Sequence, residues 1–146
     1  MSDDFYIVDK LTEEQINQLL EMCRNEWWSK ERTVEDVKLM LQNSNIIACI
    51  NKDSNEIIGF ARFLSDCIYR ATIYDVMISK NYRALGYGRI LLKTLLGHKY
   101  LKDIERLELC CQDPMVPFYE KFNFRRAPEG THFMRRTPVF RDMERG

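Results

Sequence analysis

Arg83-Ala84-Leu85-Gly86-Tyr87-Gly88-Arg89 runs directly into Ile90-Leu91-Leu92 and then Leu95-Leu96. A short glycine-bearing loop therefore opens a helix that is apolar over much of its circumference and belongs in a core. Glycines at a helix start let backbone amides approach a ligand with no side chain in the way. The first-turn N–H groups have no partner inside the helix, and with the positive end of the helix dipole they form an anion site. The expected ligand contains phosphate. A dinucleotide loop, G-x-G-x-x-G, would need glycine where Leu91 stands, and a nucleoside triphosphate loop would need Gly-Lys-Ser/Thr, which the sequence lacks. From this stretch alone, a plain strand-to-helix turn with two glycines stays equally open.

Moving toward the N-terminus, the residues before the loop have β-type patterning. Runs at 46–50 and 56–64 are joined by Asn51-Lys52-Asp53-Ser54-Asn55, a hairpin by composition, and a third run covers about 70–79 after a break at Ser65-Asp66. These three runs predict an antiparallel meander. Phe5-Tyr6-Ile7-Val8 reads as a strand, and Thr12-Glu13-Glu14-Gln15 is a capping box. The helix it opens carries Ile16, Leu19, Leu20, Cys23 and Trp27 on one face. A second helix starts at the Thr33 cap, uses Val34, Val37 and Leu41, and ends at Asn43-Ser44-Asn45.

Beyond the loop helix, a strand over 106–111 precedes a short helix over about 114–122. The pattern then suggests a final hairpin, 124–127 with 132–136, around Pro128-Glu129-Gly130. The order predicts an α+β domain around one mixed sheet. No repeat or linker interrupts residues 1–146, which read as a single domain.

Composition narrows the class of function. The 146 residues carry 22 Lys plus Arg against 22 Asp plus Glu. A zero net charge argues against a charge-driven nucleic-acid binder or a membrane-surface protein. The longest apolar run, Ile46-Ile47-Ala48-Cys49-Ile50, is far short of a bilayer span, and the MSDD start is acidic, so a cytoplasmic or nuclear protein is expected. The five cysteines, at 23, 49, 67, 110 and 111, include no Cys-x-x-Cys, and only two histidines accompany them, so neither a disulfide framework nor a metal site is expected.

A second motif adds to the loop: Phe118-Tyr119-Glu120-Lys121-Phe122-Asn123-Phe124. With Arg83 to Arg89 it resembles the GCN5-related N-acetyltransferase (GNAT) superfamily, whose Q/R-x-x-G-x-G/A loop grips the pyrophosphate of acetyl-CoA. A later F-Y-x-x-x-G-F helix in that family supplies a tyrosine beside the thioester. The resemblance extends over nearly the whole chain and implies the GNAT fold, a mixed sheet of about six to seven strands flanked by about four helices. There are two departures. Asn123 takes the usual glycine, a residue that tolerates left-handed backbone geometry, and Gln112 takes the position of a common asparagine.

Carried over position by position, the resemblance implies that Val76, Met77 and Ile78 pair their backbone with the pantetheine arm, joined by Gln112. The amides from Ala84 through Leu85, Gly86, Tyr87 and Gly88 to Arg89 would hold the pyrophosphate, leaving the side chains of Ala84, Leu85 and Tyr87 free to vary, and Arg83 and Arg89 would add charge. The co-substrate would be acetyl-CoA, with no metal, and the acceptor a primary amine, expected to be a small molecule, attacking directly in a ternary complex. Tyr119, a phenol that stays protonated at pH 7, would be the acid for the CoA thiolate, and the N–H of Ile78 would meet the oxyanion. Asp75 is a candidate base or substrate ligand, with a structural salt bridge equally open, because strand alternation points it away from Tyr74 unless a bulge intervenes. Tyr74 and Trp28 are candidates to line the acceptor pocket. Arg32 could meet a substrate carboxylate, though a lone arginine usually reads as surface. Alternatives are a non-catalytic acyl-CoA-binding module, or an enzyme acting on protein N-termini or lysines. A homodimer through an exposed edge strand is a further expectation.

Overall fold

Four largely apolar strands and one short polar one pair into a single sheet, and the helices between them cover both of its faces. The computed structural model describes residues 4–26, 29 and 31–137. The chain forms two compact units, Met1–Cys110 and Cys111–Gly146. In the first unit the order is β1 (Phe5–Val8), α1 (Glu13–Arg24), α2 (Val34–Gln42), β2 (Asn45–Asn51), β3 (Ile57–Ser65), β4 (Arg70–Ile78), α3 (Tyr87–Leu96) and β5 (Arg106–Glu108). Strands β1 to β4 pair antiparallel in sequence order, and β5 joins β4 in parallel. The expected meander and mixed sheet are present.

Local chemistry sets the helix starts. The Thr12 hydroxyl accepts from the Gln15 N–H, and the Gln15 side chain accepts from the Thr12 N–H, closing the capping box of α1. Thr33 caps α2 by accepting from the Asp36 N–H. On one face of the sheet Leu19, Leu20 and Cys23 of α1 and Val37 of α2 pack with Ile46, Ala48, Ile50, Ile57, Phe60 and Met77. On the other face Tyr87 packs with Cys49 and Ile58, joined by Phe5, Ile78, Tyr82 and Ile90. A register shift between Cys49 and Ile50 gives β3 one extra residue, so Ile57 and Phe60, three residues apart, share one layer while Ile58 lies in the other.

The second unit contains a 3₁₀ turn, Asp113–Met115, and α4 (Val116–Glu120). Here the expectation of six to seven strands is corrected to five among the described residues, because neither 124–127 nor 132–136 forms a strand. The physical reason lies in Arg125-Arg126 and Arg135-Arg136, which leave these segments without a buried face. Phe133 and Met134 are 67% and 88% exposed, and Arg125 donates to the carbonyls of Glu120 and Phe124, its own near neighbours. The strand expected over 106–111 is also shorter, ending at Glu108.

Candidate functional site

Strand β4 leaves the sheet through a 3₁₀ turn, Lys80–Tyr82, and the loop 83–86 delivers the chain to α3. Ala84 and Gly86 both adopt left-handed geometry, at φ +61° and +90°. A side chain at Gly86 would meet nothing within 4 Å, so the glycine serves the backbone angle rather than a close contact. No side chain caps α3. Its start follows an exposed loop of alternating left-handed residues, a backbone geometry of the kind that forms anion concavities.

Four side chains of 83–89 can be placed individually. Tyr87 corrects the expectation that its side chain is free to vary: it is 4% exposed and sits edge-on to Phe5 and Tyr82 at 5.9 Å. Leu85 is exposed. The Arg83 guanidinium turns back to the protein, donating from Nε to the Ile78 carbonyl at 3.1 Å and pairing with Glu26 at 3.6 Å. Arg89 is exposed.

The loop is fed by a strand with one bare edge. β5 pairs with β4 only from Arg70 to Thr72, whereas β3 follows β4 to Ile78. The Ser79 N–H donates to the Ile58 carbonyl at 2.8 Å. Alternation along a strand then turns the N–H and C=O of Ile78 to the opposite edge, where Arg83 meets the carbonyl. Among the described residues no strand covers β4 beyond Thr72 on that side. Met77 and Ile78 also line a cleft of about 280 Å³ shared with Met22, Glu26 and Arg83.

Asp75 is the bulge. Between the pairs Phe60 with Met77 and Arg62 with Tyr74, β4 spends one residue more than β3, and Asp75 sits there at φ +54°. The extra residue brings the Asp75 carboxylate beside Arg62, the partner of Tyr74, instead of sending it to the far face. Arg32, from the segment between α1 and α2, grips it with both Nη atoms at 3.1 Å. The Arg62 Nε donates to it at 2.6 Å, while Nη1 donates to Ser44 at 3.2 Å and the guanidinium lies 4.8 Å over the Tyr74 ring. Burial alone would raise the carboxyl pKa, but the hydrogen bonds and charges of the two arginines outweigh it and hold Asp75 below the usual carboxylate range. Of the two readings left open, the ion pair is the one the geometry carries. Arg62 and Ser44 are site residues that the sequence reading missed. The signal for Arg62 was present, as a lone arginine inside the apolar run of β3.

In the second unit Tyr119 is 7% exposed on α4, edge-on to Phe118 at 5.1 Å and to Phe124 at 5.9 Å. Burial, with a smaller contribution from Cys111, pushes its hydroxyl up to about 12. Asn123 takes φ +68°, and the Phe124 N–H returns to the Tyr119 carbonyl, so the expected helix stop forms without glycine. Gln112 is exposed and precedes the 3₁₀ turn. Trp28 lies outside the described residues.

The sequence profile of the Acetyltransferase (GNAT) family matches residues 13–124. An "Uncharacterized N-acetyltransferase ycf52" of Pyropia yezoensis is 34% identical over 120 residues, covering 80% of this chain and 68% of its own. A "Histone acetyltransferase TAP1" of Glycine max is 30% identical, covering 89% of this chain and 66% of its own. Among solved structures, a Xanthomonas campestris protein assigned to the GNAT family superposes with a TM-score of 0.78 at 20% identity, covering 92% and 93% of the two chains.

Proposed function

The chain belongs to the GNAT acetyltransferase family, and from that premise we propose that it moves the acetyl group of acetyl-CoA to a primary amine by direct attack in a ternary complex. The observation that carries this reading is the bare edge of β4 leading into the uncapped start of α3. An extended pantetheine arm can add to that edge through Val76, Met77 and Ile78 as a further strand would. The pyrophosphate then falls to the amides of 84–89. Because Arg83 is already committed to Ile78 and Glu26, the backbone supplies most of the phosphate grip.

The reaction forms one C–N bond and breaks one C–S bond. The amine attacks the thioester carbonyl, the Ile78 N–H faces the developing oxyanion, and the sulfur leaves as a thiolate. Tyr119 is our assignment for the acid. A hydroxyl held near 12 keeps its proton at neutral pH, and since a thiol ordinarily ionises near 8.5, its first service is a hydrogen bond to the departing sulfur, with proton delivery as the amine sheds its own. We assign Asp75 a positioning role in place of the base. A carboxylate held by two guanidiniums below its usual range has little affinity for a proton, so the amine proton leaves to water.

The test is release of CoA thiol from acetyl-CoA across a panel of amines. Amine-dependent release supports the transferase, and acetyl-CoA binding without it supports a non-catalytic module. Tyr119→Phe should lower kcat about 100-fold with the acetyl-CoA Kd unchanged, and an unchanged kcat removes Tyr119 as the acid. A protein acceptor is a second reading, favoured by the relative named as a histone acetyltransferase, so lysine-bearing and free N-terminal peptides belong in the panel. We keep the cytoplasmic location as part of the proposal, to be checked by fractionation.

A further inference from the structure

Arginine carries five N–H donors, arranged as an end fork, Nη1 with Nη2, and a side fork, Nε with the second N–H of Nη2. In Arg32 the end fork is filled by Asp75, with Nη1 on Oδ2 and Nη2 on Oδ1 at 3.1 Å each. The remaining contacts of Nη1 are Cys23 Sγ at 3.7 Å and Met40 Sδ at 3.6 Å, both weak acceptors. The side fork donates to nothing among the described residues. Those residues contain no buried side-chain nitrogen or oxygen without a partner, and the Arg32 side chain is 26% exposed.

The charge count points the same way. Two guanidiniums, Arg32 and Arg62, share one carboxylate, and the other partners of this centre are neutral: the Ser44 hydroxyl, the Tyr74 ring and two sulfurs. One positive charge is left over in a partly buried place, held rigid by Asp75. Fixed, partly desolvated and fork-shaped, the free side of Arg32 matches a planar carboxylate through two parallel hydrogen bonds.

We infer that Arg32 is a specificity-determining residue that receives an anionic group, a carboxylate, on the acceptor amine. This rests on the acetyltransferase reading for the amine's fate, but the anion site stands on its own geometry. At about 3.3 Å per residue Ile78 lies about 10 Å along β4 from Asp75. The acceptor class is therefore an amino acid, either an α-amino acid or an ω-amino acid of up to about six carbons.

The experiment compares free α- and ω-amino acids with their amides, as acceptors for acetyl-CoA and, without acetyl-CoA, as ligands observed by saturation-transfer NMR. It uses the wild type, Arg32→Gln and Arg32→Lys. Asp75 also pairs with Arg62, at 2.6 Å, so neither variant removes the last partner of the carboxylate. In the wild type the acids should exceed their amides by about 10- to 100-fold in kcat/KM, the range of a hydrogen-bonded charge pair. Arg32→Gln should erase the preference by raising KM for the acids to that for the amides, and Arg32→Lys should restore part of it. Equal use of acids and amides by the wild type, or an equal loss for both in Arg32→Gln, overturns the inference. If no amine is acetylated while the acids bind in an Arg32-dependent way, the acetyltransferase reading fails and the anion site stands. Acid binding that is absent or indifferent to Arg32 overturns the site whatever the enzyme does.

Discussion

The loop 83–89 and the bulge at Asp75 both interrupt the path from β4 to α3, and they are built from opposite materials. The loop exposes backbone: left-handed Ala84 and Gly86, an uncapped helix start, and an arginine turned back to the protein. The bulge exposes side chains, with one carboxylate held between two guanidiniums that come from a distant segment and a neighbouring strand. A site made of amides tolerates exchange of its surface side chains and is damaged by a wrong backbone angle. A site made of ion pairs tolerates a bent backbone and is damaged by loss of one charge. Substitutions at each should therefore separate cleanly.

The largest effect is expected at the bulge. Asp75→Asn keeps the shape and suits φ +54°, yet leaves two partly buried guanidiniums facing an amide. It should cost about 3 kcal/mol, as breaking a buried pair does, measured by urea unfolding. A loss below 1 kcal/mol would show that solvent already supports both arginines.

At the loop, Gly86→Val has room for its side chain but forces a β-branched residue to φ +90°. The strain is about 1–3 kcal/mol. It should appear as an acetyl-CoA Kd at least 10-fold weaker by calorimetry, with a smaller loss of stability than Asp75→Asn. If the Kd is unchanged, the loop does not hold the cofactor.

Acid sharpens the contrast. Because the Asp75 pKa is depressed in the folded state, its contribution to stability is complete above the unfolded value near 3.9 and is lost as pH falls through the lower folded value. Urea midpoints of the wild type should therefore drop toward those of Asp75→Asn below about pH 4, and the two curves should run parallel above pH 5. The smallest effect is expected from Arg89→Ala, an exposed charge on a backbone-made site. A change in acetyl-CoA Kd of less than about 3-fold fits, since exposed pairs contribute under about 1 kcal/mol. A 30-fold loss would move the phosphate grip from amides to side chains.

What could be read in advance follows from how local each signal is. The caps at Thr12 and Thr33, the meander and the loop before α3 are written within a few residues of one another, and the structure has them where the sequence places them. The fork at Asp75 is not local. Arg32 lies 43 residues away and Arg62 lies 13 away, and the sequence offered only one acidic residue among apolar neighbours, with the direction of Asp75 hanging on a bulge that alternation cannot reveal. The final hairpin erred the other way. Turn residues at Pro128-Glu129-Gly130 suggested a reversal, but a strand needs a ladder and a buried face, and 124–136 has neither among the described residues. Tyr87 shows a related limit: a motif position says nothing about where its side chain packs.

The two buried cysteines lie in different layers, Cys23 on the inner face of α1 and Cys49 on β2 against Tyr87. Burial pushes both thiols up, Cys49 to about 11, whereas Cys67, Cys110 and Cys111 are exposed. Colourimetric thiol reagents will consume the exposed set at once and reach the buried pair only when a layer opens. Once the exposed set has been replaced by serine, the protein carries its own two-channel reporter, in which labelling of Cys23 times the release of α1 and α2 and labelling of Cys49 times the release of α3. The same replacement removes the background that would otherwise mask CoA release in the amine panel.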